Sequence, residues 1–395
     1  MNFIKRCLLE RRQAFRSGGL ALLVSAGLLS VAPWARAQYQ VVAWGVNNHG
    51  QTNVPPNLTN AIAIAGGWHH SAALRADGTV VVWGDNNAGQ TNVPAGLTNV
   101  IAISSRSGDN VTALRVDGTV VAWGDNSYGQ TNVPAGLRNV VAIAQGATYG
   151  LALKADGTVA SWGEWSGLPG TPMAPAGLSN VVALAAGDTF TLFLKADGTI
   201  ASYYELPPSG LDDVIDIAAG FLQGLVLQAN GTLTPWGWFL VSEEMPGGPA
   251  TVPAGLTNVA AIQSGDSHWL FLKPDGTVTV WGYYTYNDET YVWAPPAPAL
   301  ANVEAIAAGS NHDLAMVRTN GSPPSFQLAA LGWGPGGFTL SLPTQSGRVY
   351  RLEYKNALTD SAWTALPLVP GNGGVQALND PTATGAQRFY RVSRW

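Results

Sequence analysis

Apolar residues fall in short runs rich in Val, Ile, Ala and Leu, and each run is cut off by Gly, Asn, Asp or Pro. Short β-branched runs bounded by turn-forming residues predict strands, not helices. The pattern is periodic. One unit reads Ala-Asp-Gly-Thr-Val-Val-Val-Trp-Gly over 76–84, Asp-Asn-Asn-Ala-Gly-Gln-Thr-Asn-Val-Pro over 85–94 and Ala-Gly-Leu-Thr-Asn-Val-Ile-Ala-Ile over 95–103. Its Trp-Gly position is filled by Trp44, Trp83, Trp123, Trp162, Tyr203, Trp236 and Trp281. A Leu-x-Asn/Asp position recurs at Leu58, Leu97, Leu137, Leu178, Leu211, Leu256 and Leu300. Seven units of about 40 residues predict an all-β array of small blades.

Each unit holds three strands, of the types Ile101-Ala102-Ile103, Ala73-Leu74 and Val80-Val81-Val82-Trp83. Asp77-Gly78, Asp117-Gly118, Asp156-Gly157, Asp197-Gly198, Asn230-Gly231, Asp275-Gly276 and Asn320-Gly321 read as two-residue hairpin turns with positive φ at both central positions. The array begins with Gln40-Val41-Val42-Ala43-Trp44, a third strand lacking the first two. It ends with the unit containing His312 and Asn320-Gly321, which lacks a third strand. Joining the two removes a pair of open sheet edges. The expected fold is a seven-bladed β-propeller over 38–322, closed by its N-terminal strand.

The Asp-Gly-Thr-Val-x-x-Trp-Gly (77–84), Gly-Gln-Thr-x-Val-Pro (89–94) and Ala-x-Ala-Ile-Ala-x-Gly-x-x-His (61–70) motifs resemble the regulator of chromosome condensation repeat family. The likeness spans about 38–322, and the pattern is most similar to that of the bacterial propeller-type β-lactamase inhibitory proteins in it. It implies a closed propeller that works by binding another protein. Nucleotide exchange on a nuclear GTPase and contact with chromatin, the roles of the eukaryotic namesake, are not expected of an exported acidic chain.

Beyond Gly321-Ser322-Pro323-Pro324 the repeat stops, and 323–395 reads as a linker followed by a small C-terminal β-sandwich. Tyr350, Leu352 and Tyr354 alternate with Arg351, Glu353 and Lys355, and Trp363 is the expected core anchor.

Composition adds the setting. Lys5, Arg6, Arg11, Arg12 and Arg16 precede an apolar run at 20–32 and the small-residue triplet Ala35-Arg36-Ala37. That order predicts a signal peptide over 1–37, and the run is too short to span a bilayer, which takes about 20 residues. The expected location is secreted, cell surface or periplasmic, with no membrane insertion after cleavage. Cleavage removes six of the 20 Lys and Arg and one of the 25 Asp and Glu, leaving 14 against 24. So acidic a chain is not expected to bind nucleic acid. The single cysteine, Cys7, leaves with the signal.

No nucleophile elbow, phosphate loop or zinc-protease motif is present, and neither an enzyme nor a cofactor is expected. The repeated Asp residues are explained by turns, and Asp85-Asn86-Asn87 lacks the acids of a calcium loop. Aligning the units brings His70, Asn110, Tyr149, Phe190, Gln223, His268 and His312 to one position, expected to form a polar ring bonding the loop backbone. Metal binding by the three histidines is the alternative.

Strand parity puts the Gly-x-x-His loops and the loops after Trp-Gly on one face of the ring. The Asp-Gly-Thr turns and Leu-x-Asn corners lie on the other. The loops after Trp-Gly are near-copies in the early units and aromatic-rich later, and Trp, Tyr and Arg dominate interface hot spots. Candidate partner contacts on this loop face are Trp68, Arg106, Trp165, Tyr204, Trp238, Phe239, Tyr284, Tyr286, Tyr291 and Trp293. The expected partner is an extracellular or periplasmic protein, alternatively a glycan. A glycoside hydrolase or lyase would need two carboxylates roughly 5–9.5 Å apart, for which Glu164, Glu205, Glu244 and Glu289 are the loop candidates.

Overall fold

The computed structural model describes residues 19–22, 38–164, 173–188, 191–203, 206–239, 248–286, 290–319, 330–334, 337–357, 359–383 and 388–395. Every regular element among them is a β-strand. Blade one pairs Ala61–Gly66, His70–Arg75 and Val80–Gly84 as inner, middle and outer strands. The same order repeats in blade two (Val100–Ser104, Asn110–Arg115, Val120–Gly124), blade three (Val140–Gln145, Tyr149–Lys154, Val159–Gly163) and blade four (Val181–Ala186, Thr191–Lys195, Ile200–Tyr203). Blade five is Val214–Ala219, Gln223–Gln228 and Leu233–Gly237. Blade six is Ala261–Ser264, His268–Leu272 and Val278–Tyr286, with Thr290–Trp293 added outside. In blade seven, Val303–Ala308 and His312–Arg318 are completed by Tyr39–Gly45, with Val42 opposite Ala315. Inner strands pack on one another all round the ring, blade seven on blade one included. The N-terminal strand closes the circle.

The core lies between blades. Leu74, Leu97, Val100, Val111 and Trp123 form one cluster shared by blades one and two. Fully burying each such side chain contributes about 1.5–3 kcal/mol. The Leu-x-Asn corners that enter each inner strand carry a left-handed residue at Asn60, Asn99, Asn139, Asn180, Asp213, Asn258 and Asn302, with φ between 48 and 59°. Asn and Asp tolerate that conformation best among non-glycine residues. The corner puts its carbonyl onto the end of the middle strand, as in Val116 N–H to Asn99 O at 2.9 Å.

The hairpin turns differ from the sequence expectation. Only glycine has positive φ in them, and Arg75 N–H bonds Thr79 O across three intervening residues. Asp77 keeps ordinary φ because its carboxylate accepts both the N–H (2.9 Å) and the hydroxyl (2.7 Å) of Thr79, pinning the loop without a second left-handed residue. The turn also reaches the next blade, with Val100 N–H bonding Gly78 O at 3.2 Å. Asn320-Gly321 lies outside the described residues.

C-terminal to the ring, Ala330–Gly334, Gly337–Pro343 and Val375–Asp380 form one small sheet. Val349–Lys355, Thr364–Pro370 and Phe389–Arg394 form another. The two share a core of Phe338, Leu340, Leu342, Tyr350, Leu352, Leu378 and Tyr390. Gly19–Leu22, inside the expected signal, pairs along Phe389–Arg394 with Leu20 opposite Val392. Trp363 is not a core anchor: it lies half-buried under Arg391 and Lys355, with cation-to-ring distances of 4.8 and 5.3 Å. The module sits on the turn face of the propeller. Leu368 N–H bonds Ala155 O at 3.2 Å, Arg348 pairs with Asp216 at 3.6 Å, and Ser346 donates its hydroxyl to Ile101 O.

Candidate functional site

With the module on the turn face, the loop face is the free end of the ring. Its centre is built from the polar residue that opens each middle strand. His70 bonds Ser105 of blade two (2.8 Å), Tyr149 donates to Gly187 O of blade four (2.7 Å), and Gln223 donates to Asp266 O of blade six (2.5 Å). His268 bonds Asp313 of blade seven and His312 bonds Ser71 of blade one, both at 2.8 Å. Each of these groups ties its blade to the next. Tyr149 and Gln223 reach loop carbonyls as the sequence suggested, the three histidines reach side chains instead, and the buried Asn110 amide makes no such bond among the described residues. Phe190 lies outside the described residues.

Glycine three residues earlier makes room for the ring. A Cβ on Gly67 would stand 2.1 Å from the imidazole of His70, and one on Gly309 would stand 2.4 Å from that of His312. Burial holds His312 neutral, pushing its pKa down to about 3, with His70 and His268 adding to the effect. Among the described residues no cluster of His, Cys, Asp or Glu has the arrangement of a metal site.

Ser105, His70 and Asp109 resemble a nucleophile, base and orienting acid, with Ser105 Oγ 2.8 Å from His70 Nε2 and His70 Nδ1 3.9 Å from Asp109. Proton bookkeeping gives another result. The Ser105 hydroxyl donates to Asn110 O at 2.9 Å, so the ring nitrogen must be the donor between them. Ser71 repeats this, donating to Gln51 O at 2.8 Å while receiving His312. These are structural relays.

Blade two carries one extra residue in its central loop, and that loop crosses the ring. Arg106 is buried, donating to Ser264 O and, at 3.2 Å, to Gly265 O of blade six, while Ser107 bonds the Asp266 carboxylate. Asp188 of blade four joins this cluster. Burial, and then the Asp266 charge, raise its pKa to about 7 against the pull of Arg106. Arg106 is therefore a strut within the ring and not a partner contact.

Tyr284 and Phe239 are likewise corrected. Tyr284 is fully buried, donating to Asp313 beside His268, and Phe239 is 3% exposed, packed edge-on against Trp269 and Tyr283. Trp165, Tyr204, Glu205, Glu244 and Glu289 lie outside the described residues, as do the side chains of Tyr286 and Tyr291. The other three candidates are exposed: Trp68 by 39%, Trp238 by 54% and Trp293 by 48%. Tyr128, 40% exposed, joins them. Sequence reasoning passed over Tyr128 because its Asn-Ser-Tyr-Gly loop looks like a copy of its neighbours. Trp68 leads the middle strand of blade one, Tyr128 and Trp238 follow the outer strands of blades two and five, and Trp293 stands opposite Tyr283 in blade six. All four lie on the loop face.

Two of them are held in ring clusters. Trp68 stacks on His69 (4.8 Å, 18°), which stacks on His49 (4.1 Å, 24°), and His49 lies 3.8 Å from Asp85. Trp293 meets Trp281 at 4.6 Å and Tyr283 at 5.0 Å, both edge-on. The early loops serve a different purpose. Trp83, Trp123 and Trp162 donate their indole N–H to the carbonyls of Gln51, Gln90 and Gln130 at 2.9–3.0 Å, strapping each blade to the one before.

The model of the regulator of chromosome condensation (RCC1) repeat matches residues 61–90 and 100–130. Among solved structures, human WBSCR16 is similar with a TM-score of 0.56 at 19% identity, over 72% of this chain and 99% of that one. Prp20p of Saccharomyces cerevisiae, described with its binding to Gsp1p and histones, gives 0.56 at 16% identity over 73% and 94%. Yeast RCC1 (Prp20) bound to Kap60 gives 0.55 at 17% identity over 76% and 96%. A comparison with curated proteins gives no match. The chain carries RCC1 repeats in blades one and two and folds as an RCC1-like β-propeller.

Proposed function

We propose that this chain is an exported protein-binding scaffold that takes its partner on the loop face, with an inhibitory or adhesive outcome. One observation carries the reading: Trp68, Tyr128, Trp238 and Trp293, the large exposed aromatics among the described residues, share one face. Exposed aromatics held by ring contacts offer large contact area at low entropic cost. The opposite face bears the C-terminal module, so a partner approaching along the axis meets the aromatic side. The yeast neighbour's named partners, Gsp1p, histones and Kap60, are proteins too. Export is supported by the basic segment, apolar run and Ala35-Arg36-Ala37.

The test is capture of extracellular and periplasmic proteins on the immobilised mature chain, a β-lactamase panel included. Substituting Trp68 and Trp293 by Ala together should weaken the captured complex at least tenfold while the melting temperature stays near wild type. A partner bound equally well by that double variant would place the contact elsewhere and sink the reading.

A glycan is the second reading, favoured by the Trp68–His69–His49 stack beside Asp85, a flat platform with a polar edge. A glycan array decides between the two: hits lost on Trp68→Ala alone would favour the sugar.

A further inference from the structure

Each inner strand is hydrogen-bonded to its own middle strand on one side only, so its other edge faces the propeller axis. Together the seven edges enclose a cavity of about 1040 Å³. Neighbouring residues of one strand line it alike, Ala63 with Ile64 and Ala183 with Leu184. Successive side chains of a strand point to opposite faces, so only a strand edge can present both. The wall is therefore a ring of main-chain N–H and C=O groups set among small side chains.

Arg106 crosses the loop-face end. The C-terminal module overhangs the other end with Ser346 and Arg348, and the lining runs out to Tyr39 and Asn60 on the turn face of blades seven and one. Edge groups near both ends already take polar partners from neighbouring elements. Ser346 donates to Ile101 O, Ile262 N–H bonds Asp216 at 3.2 Å, and Gln145 N–H bonds Ser104 Oγ at 3.0 Å.

We propose that the axial cavity is a binding site for an extended peptide segment with small, neutral side chains. A purely aliphatic ligand would displace water from these edges and return nothing, at about 1–3 kcal/mol for each group left unsatisfied. A peptide brings its own alternating donors and acceptors and adds to an open edge as a further strand. An inner strand such as Ala61–Gly66 has six residues, about 20 Å at 3.3 Å per residue, which sets the segment at six or seven residues. Neutral side chains fit because the charges at the mouth are already paired, Arg348 with Asp216 at 3.6 Å and Arg318 with Glu304 at 2.9 Å. Small ones fit because the volume of about 1040 Å³, spread over roughly 20 Å of strand, leaves a mean cross-section of roughly 50 Å².

The experiment titrates the full mature chain with the capped heptapeptide acetyl-Ala-Thr-Ala-Ser-Ala-Thr-Ala-amide by calorimetry. Alongside runs the same peptide N-methylated at alternate bonds. One peptide should bind per chain, and N-methylation should weaken it at least tenfold because it removes donors without changing side chains. Ala183→Trp, on the cavity wall, should weaken it by at least as much, whereas Trp68→Ala and Trp293→Ala on the loop face should leave it unchanged. No binding at millimolar peptide would overturn the proposal. Equal affinity for the N-methylated peptide would overturn it as well, and that comparison needs only the wild-type protein. Unchanged binding by a folded Ala183→Trp variant would do the same.

Discussion

At the scale of single residues, the Leu-x-Asn corner shows how much one side chain decides. Asn99 stands at φ 57°, and its carbonyl receives Val116 N–H at 2.9 Å. A residue with an ordinary Cβ pays about 1–2 kcal/mol to stand there. Asn99→Ala should therefore lower unfolding free energy by about 1 kcal/mol, and Asn99→Gly should change it by a few tenths only. Denaturant midpoints of the two variants check this, and equal losses would mean that the side chain matters for something other than φ. The sequence showed that Asn or Asp recurs at all seven corners but not why, because φ has no signature beyond residue preference. The Asp-Gly-Thr turns were misread for a related reason. The pair Asp-Gly is compatible with a two-residue turn, and only the Thr79 bonds to Asp77 reveal the longer loop.

At the scale of the blade, the Gly-x-x-His loop is a packing unit. The imidazole of His70 occupies the space where a side chain on Gly67 would begin, 2.1 Å from its ideal Cβ, and that ring is wholly buried. Neither partner can move aside cheaply in an interior packed at crystal density. Gly67→Ala should cost more than about 2 kcal/mol, in the range seen for overpacked cores. Combining it with His70→Ala should recover part of that loss, and thermal unfolding of the two single variants and the double variant measures the coupling. Additive losses would show that the two do not compete for space. Strand existence, blade number and the pairing of Tyr39–Gly45 with His312–Arg318 were legible, since each rests on a pattern repeated along the chain. The fate of individual aromatics was not. Trp238 and Phe239 are adjacent in one loop, yet one is 54% exposed and the other 3%. What separates them is the neighbouring blade's Trp269, a contact no local pattern encodes.

At the scale of the whole molecule, the least legible feature is the strut across the ring, since Arg106 and Gly265 are 159 residues apart and belong to blades that are not neighbours. Its only sequence signal was one extra residue in a loop. The strut gathers Asp188 and Asp266 around a buried guanidinium, and the pH dependence of stability should report on it. Asp188, with its pKa raised to about 7, holds a proton in the folded chain that the unfolded chain releases above the ordinary carboxylate range. Its contribution is present in acid and lost as pH rises toward 7. Asp216, raised by burial beside Arg348, acts in the same direction. His312 acts in the opposite one: the unfolded chain takes up its proton below about 6.5 and the folded chain only near 3, so acidification across that window favours unfolding. Each uncompensated proton is worth about 1.4 kcal/mol per pH unit. Between pH 4 and 6.5 the Asp188 and His312 contributions offset, and Asp216 tilts the wild-type curve toward greater stability in acid. Asp188→Asn removes the larger weight on the acid side, so relative to wild type its stability should fall on acidification from pH 6.5 to 4 by about 1 kcal/mol per unit. Urea unfolding at half-unit pH steps measures both curves. A variant curve parallel to that of the wild type would mean that Asp188 is ionised in the fold at neutral pH and that Arg106 alone balances the two carboxylates.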